Sequence, residues 1–195
     1  LDRRTIDFLL YDWLQVGKLL HYPRYSDHSA ETFSSVLDLS AKLAATEFAT
    51  HYKKSDQVEP YLDASGVHVL PEVRNALGAY REAGFFGATF DVELGGQQLP
   101  NVIQTAAMAN FMAANIATSA FPMLTSANAR VISRFGTKTQ KIEFAKPQIE
   151  GRWFGTMCLS EPQAGSSLAD ITTRALRDGG GQLGGRFRIF GRKMW

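Results

Sequence analysis

The feature that most constrains this chain is a change of hydrophobic period near residue 152. Upstream of it, apolar residues recur about every three to four positions, as on one face of a helix. Downstream, short runs of strand-forming residues alternate with turn residues. A chain with that switch cannot be one uniform bundle or one uniform sheet. We therefore expect an α+β fold: an all-α helical domain over residues 1–151, of which 1–32 form an N-terminal extension, then the start of a β-barrel or sandwich domain over 152–195.

Within the first part, Ile6, Leu9, Leu10, Trp13 and Leu14 predict one helix between Thr5 and Leu20, and Phe33, Val36, Leu37, Leu43, Ala44 and Phe48 predict a second. The polar string Lys53 to Gly66 breaks the period. Pro71 suits a first helical turn, where its missing N–H would go unbonded anyway, and Gly84 reads as that helix's stop. Phe85 to Asn101 reads as a loop. Residues 101–120 predict a helix of mostly small side chains, whose axis a neighbouring helix or a ligand could approach; tight helix packing is the commoner use. Leu124 to Phe135 predicts a further helix ending at Gly136. Thr137 to Gln140 fits a capping box for the next, which stops near Gly151.

In the second part, Trp153–Leu159, Thr172–Leu176 and Arg186–Phe190 are the expected strands, Asp178–Gly181 a turn, and Gly191–Trp195 the beginning of another hairpin arm. Two or three short strands seldom form a sheet core alone, so we expect these residues to be the front part of a longer protein.

Charge and cysteine content narrow the class. Twenty-one basic and 19 acidic residues leave a net charge of +2, which gives no strong field for nucleic acid or an anionic membrane. The single cysteine, Cys158, excludes an internal disulfide and suits a reducing compartment, so we expect a cytoplasmic protein. Set in an apolar strand, it reads as a small core residue rather than a redox thiol. No run approaches the roughly 18 apolar residues of a membrane span. His21, His28, His51 and His68 show no metal-ligand spacing and read as surface or helix-end residues, so no metal site is expected.

The stretch with chemical content is Ser160-Glu-Pro-Gln-Ala-Gly-Ser-Ser167. Glycine and serine after a strand let backbone N–H groups converge on an anion, while hydroxyls donate to ring nitrogens or phosphate oxygens. On residue chemistry alone the stretch is either a plain connecting loop, the commoner case, or a cofactor cradle.

Together, Gly155-Thr-Met-Cys-Leu-Ser-Glu-Pro-Gln-Ala-Gly-Ser-Ser-Leu168, Thr173-Arg-Ala175 and Gly191-Arg-Lys-Met-Trp195 resemble the acyl-CoA dehydrogenase family, as do Gly84-Phe-Phe-Gly87, Leu94-Gly-Gly96 and Phe135 to Lys141. The segment before Phe33 and the string Gly95 to Pro100 resemble its longer-chained subgroup around methylmercaptopropionyl-CoA dehydrogenases. The resemblance implies a helical domain, a middle β domain and a C-terminal four-helix domain absent from this sequence, with FAD between the last two and across a dimer contact. It implies FAD-dependent α,β-dehydrogenation of an acyl-CoA thioester by the full-length protein, an oxidoreductase of fatty acid metabolism, with residues 1–195 alone inactive.

By the same resemblance, Leu159 offers backbone groups to the flavin pyrimidine edge with Met157 beside it, and Ser160 bonds near flavin N5 and O4. Gly165 and Ser166 approach the FAD pyrophosphate or the CoA phosphate, and Trp195 packs on the isoalloxazine. Glu161, before Pro162, is structural rather than a general base, and no catalytic base falls in this chain. Ser167 departs from the family's usual Asp. Implied partners are an acyl-CoA, an electron-transferring flavoprotein and a second copy in a homodimer or homotetramer. An acyl-CoA oxidase or flavin monooxygenase of the same fold, or a DNA-associated non-catalytic member, stays open as an alternative. Acyl-chain length is not set by these motifs; Ala117 and Thr118 are the expected wall of its pocket.

Overall fold

The computed structural model describes residues 1–178 and 185–194. The chain divides into two compact units, Leu1–Gly155 and Thr156–Trp195.

The helical unit begins with α1, Arg3–Asp7, where the Asp2 carboxylate accepts the Arg4 and Thr5 N–H groups, and widens into a π turn over Phe8–Trp13. The expected helix to Leu20 is broken. Gln15 takes a left-handed φ of 52°, and Val16–His21 follows as a 3₁₀ turn. The bend buries both Leu10 and Val16 while Trp13 and Leu14 stay exposed, which a single straight helix could not do.

Next, α2 (Ala30–Leu43) is capped by Ser29 and runs on through Ala44–Phe48 to α3, Tyr52–Gln57. Inside the polar string lies a small hairpin that the sequence reading lacked. Strand β1 (Tyr61–Asp63) pairs antiparallel with β2 (Gly66–His68), Tyr61 opposite His68 with stacked rings. Helix α4 (Pro71–Glu82) has Pro71 in its first turn and ends as expected at Gly84, whose φ of +77° suits glycine.

After the 85–100 loop come α5, Asn101–Ala114, and α6, Ile116–Phe135. The expected boundary between these helices was at 120–124; it lies at Asn115 instead. There the backbone is extended, the side-chain Oδ1 accepts the Thr118 N–H at 3.0 Å, and Nδ2 donates to the Phe48 carbonyl at 3.2 Å. Pro122 sits buried inside α6, so the cap and not the proline sets the break. Helix α7 (Lys138–Gln140) opens with the expected Thr137 capping box and passes through a π turn, Lys141–Ala145, into α8, Lys146–Ile149.

The core is aromatic. Tyr80 lies about 5 Å, centroid to centroid, from Phe85, Phe86 and Phe111, and Phe111 lies 4.8 Å from Phe48 with the rings tilted by 52°. The small residues of α5 serve helix packing: Ala107 is fully buried, and Asn110 donates to Ser40 of α2 at 2.9 Å. Of the two expected placements for His51, surface or helix end, it takes the helix end, closing the 3₁₀ turn Ala49–His51, and is buried there. It is 2% exposed, with Nε2 at 2.9 Å from Thr118 Oγ1, so a polar pair lies where helical spacing marks only the end of an element.

In the β unit, β3 (Arg174–Arg177) pairs antiparallel with β4 (Phe187–Phe190), Arg174 opposite Phe190 and Arg177 opposite Phe187. Most of the expected Asp178–Gly181 turn lies outside the described residues. The expected strand Trp153–Leu159 joins no ladder among the described residues, because strand-forming side chains do not themselves supply a neighbour to bond. Among those residues the unit holds one two-stranded ladder and no closed barrel. The fold is therefore a helical domain followed by a small antiparallel β segment. Among the described residues no helix is long and apolar enough to cross a membrane.

Candidate functional site

Glu161 organises the loop that the sequence singled out. Its N–H donates to the Ala164 carbonyl at 2.8 Å and its carbonyl accepts the Ala164 N–H at 3.0 Å, closing a tight turn over Pro162 and Gln163. The carboxylate itself is buried, with only 1% of the side chain exposed. Oε2 accepts the Thr172 N–H at 2.8 Å, the Thr172 hydroxyl at 3.0 Å and Gln163 Nε2 at 2.8 Å. Oε1 accepts the Thr173 N–H at 3.0 Å and pairs with Lys193 Nζ at 2.9 Å.

These donors, led by the Thr172 amide, hold the carboxyl far below the usual carboxylate range. A general base needs a free lone pair and a pKa near working pH, and Glu161 offers neither. What it does is join three stretches of chain: the 159–164 turn, the entry to β3 and the segment after β4. Lys193 also donates to the Leu159 carbonyl at 3.0 Å, and the Met194 N–H donates to the Ser160 carbonyl at 2.9 Å. Gly191, with φ +148°, lies so close to Thr173 that a Cβ would run into its side chain.

The residues assigned to a cofactor sit on the outside of this clamp. Met157 and Leu159 are 43% and 46% exposed, Ser160 is half-buried, and Gly165 and Ser166 are exposed, with open space where a Gly165 side chain would be. Trp195 lies outside the described residues. Among the described residues the hydroxyls of Ser160, Ser166 and Ser167 are committed to no protein acceptor. Cys158 corrects its expected core position: it is exposed, since among the described residues the run around it joins no sheet. Lys193, Thr172 and Thr173 complete the clamp. The sequence showed Lys193 and Thr173 only as members of motifs, without their partner.

The helical unit adds cavities. Ala117 and Thr118, the expected acyl-pocket wall, border a cleft of about 140 Å³ with Val69, Val73 and Phe121. A larger cavity of about 390 Å³ lies between α5 and α6 over Phe85 and Phe86. Its signal was present in the spacings Met108–Met112 and Met123–Ala127–Arg130, but spacing does not say which turns of two helices face each other. Among the described residues no group of His, Cys, Asp and Glu could hold a metal ion.

With this geometry in place, likeness to known proteins defines the class. The chain is similar in fold to an acyl-CoA dehydrogenase complexed with FAD from Bacillus anthracis, at TM-score 0.68 and 20% identity, covering 87% of this chain and 27% of that one. Residues 35–152 match the family profile described as acyl-CoA dehydrogenase, N-terminal domain. The chain belongs to the acyl-CoA dehydrogenase family. It is 30% identical over 176 residues to the broad-specificity linear acyl-CoA dehydrogenase FadE5 of Mycobacterium tuberculosis, covering 89% of this chain and 28% of that protein. It is 33% identical over 132 residues to the 3-methylmercaptopropionyl-CoA dehydrogenase of Ruegeria pomeroyi, covering 67% of this chain and 22% of that protein. The chain thus spans less than a third of the length of these two relatives.

Proposed function

We propose that the protein carrying this chain catalyses FAD-dependent α,β-dehydrogenation of an acyl-CoA thioester. The observation that supports this reading is the Glu161-clamped loop: a rigid turn whose exposed side carries three uncommitted hydroxyls and open backbone, in a member of this family. That donor set fits a flavin nucleotide, which offers ring carbonyls, ring nitrogens and a pyrophosphate as acceptors. Met157, Leu159, Ser160, Gly165 and Ser166 would hold it, joined by Trp195. Bound there, FAD would supply the acceptor for one hydride, which carries both electrons of the oxidation.

The chain's own residues do the positioning. With its carbonyl taken by Lys193, Leu159 would meet a flavin ring edge through its N–H, and the Ser160 hydroxyl would donate beside it. Overall, the α-carbon gives a proton to a base, the β-carbon gives a hydride, and a carbon–carbon double bond forms between them. The base is assigned to no residue of this chain. The reading divides the protein into a helical domain over 1–151, including the extension 1–32, and a middle β domain from 152 onward. It carries an electron-transferring flavoprotein as acceptor, a homo-oligomer and a cytoplasmic location.

Anaerobic mixing of the full-length flavoprotein with acyl-CoAs tests it. The flavin absorbance should bleach, whereas residues 1–195 alone should show no turnover. Absence of bleaching across short, long and thioether-containing acyl chains would overturn the reading. Peroxide formed in air without an electron-transferring flavoprotein would make the enzyme an oxidase instead.

A further inference from the structure

The cavity between α5 and α6 has two unlike ends. The helices run antiparallel, and Arg130 of α6 donates to Asn101 at the start of α5 at 3.3 Å. Asn101, Gln104 and Arg130 therefore share one end of the cavity, while Met112 and Met123 line the other. Phe85 and Phe86 also line the cavity. A mostly apolar space of about 390 Å³ thus ends among the polar groups of Asn101, Gln104 and Arg130.

At that terminus Arg130 is held but not neutralised. Nη2 donates to Thr89 Oγ1 at 2.9 Å and to Asn101 Oδ1, and the guanidinium lies 5.5 Å from the centroid of the Phe90 ring. Among the described residues no carboxylate pairs with it, and its Nε and Nη1 have no acceptor. Beside it, Gln104 donates through Nε2 to the Tyr80 hydroxyl at 3.2 Å, while its Oε1 is buried without a partner. An orphaned buried acceptor marks a place for a donor, such as the water that hydrates an oxyanion. A guanidinium fork fixed at two points, with N–H groups to spare, suits a carboxylate.

We infer that this cavity receives the far end of the acyl group and that Arg130 selects tails ending in a carboxylate. The inference rests on the reading of the protein as acting on acyl thioesters, and adds the class of acyl group.

The test compares kcat/KM of the intact flavoprotein for a plain acyl-CoA and for the ω-carboxyacyl-CoA of equal chain length. The expected preference for the carboxylated substrate is about tenfold or more, the worth of one charge-assisted hydrogen bond. Arg130→Leu should abolish that ratio. Arg130→Lys, which keeps the charge without the fork, should retain part of it, and the loss should fall on KM rather than kcat, since the tail is bound alike in ground and transition states. Equal ratios in the native protein and Arg130→Leu, with plain acyl-CoAs still turned over, would overturn the inference and leave the dehydrogenase reading standing. If no thioester is oxidised, thermal stabilisation by the linear dicarboxylate suberate that is lost in Arg130→Leu would uphold the site and overturn the enzymatic reading alone. No stabilisation in that case would overturn the site as well.

Discussion

The two units of the chain are held by opposite means. In the helical unit the tightest contacts are apolar: Phe33, Phe48, Tyr80, Ile103 and Phe111 are wholly buried and pack on one another. In the β unit, by contrast, Glu161 and Ala164 are the buried residues among those described, and the structure gathers around one carboxylate. Apolar packing is insensitive to direction and tolerates gradual change. A clamp made from one charge and directed donors is all or nothing, which suits a loop that must present its backbone in one shape.

The comparison can be broken first at its apolar side. Phe111→Ala should destabilise the helical unit by about 3–5 kcal/mol, since the ring touches Phe48, Tyr80 and Phe85 and nothing nearby can fill its volume. Chemical denaturation of the full-length protein would show it, and a loss under about 1 kcal/mol, the size of a mild surface substitution, would mean that the aromatic cluster is loosely packed.

On the polar side, Glu161→Gln should leave the helical unit's unfolding transition in place yet weaken FAD binding about tenfold or more, read by flavin fluorescence during titration. The amide can accept on one atom only and cannot pair with Lys193. Unchanged FAD affinity would show that the loop keeps its shape without the charge.

A smaller effect is expected from pH. The Glu161 carboxyl is held well below its ordinary value of 4.5, so the charged form stabilises the folded state. That stability is fully present above the unfolded value and is lost as pH falls through the folded one. Amide protection factors at Thr172 and Thr173, taken against the intrinsic exchange rate at each pH, should therefore fall progressively below about pH 4.5, while those of the Tyr80 region hold. Simultaneous loss of both would contradict the division. The smallest change is Asn115→Ala, which removes the α6 cap and the bond to Phe48; a loss of about 1 kcal/mol is expected from thermal melts.

What the sequence made legible follows the range of the interaction. The Gly84 stop, the Thr137 capping box and the Pro71 start depend on residues within a turn of one another, and each stands where it was expected. The break at Asn115 and the burial of His51 depend on partners far along the chain, Phe48 for Asn115 and Thr118 for His51, which periodicity does not encode. The β1–β2 hairpin escaped because three-residue strands show no alternation to read. In the loop, the motif located Glu161 and its structural character, but its donors at Thr172, Thr173 and Lys193 emerge only from folding.

The Glu161 clamp also orders events in time. Its last two ties come from Lys193 and Met194, so a ribosome that has not yet released those residues holds a nascent polypeptide whose loop is unfinished. During synthesis the helical unit can settle from its own residues, whereas the 159–164 turn reaches its final shape only after translation has passed Met194.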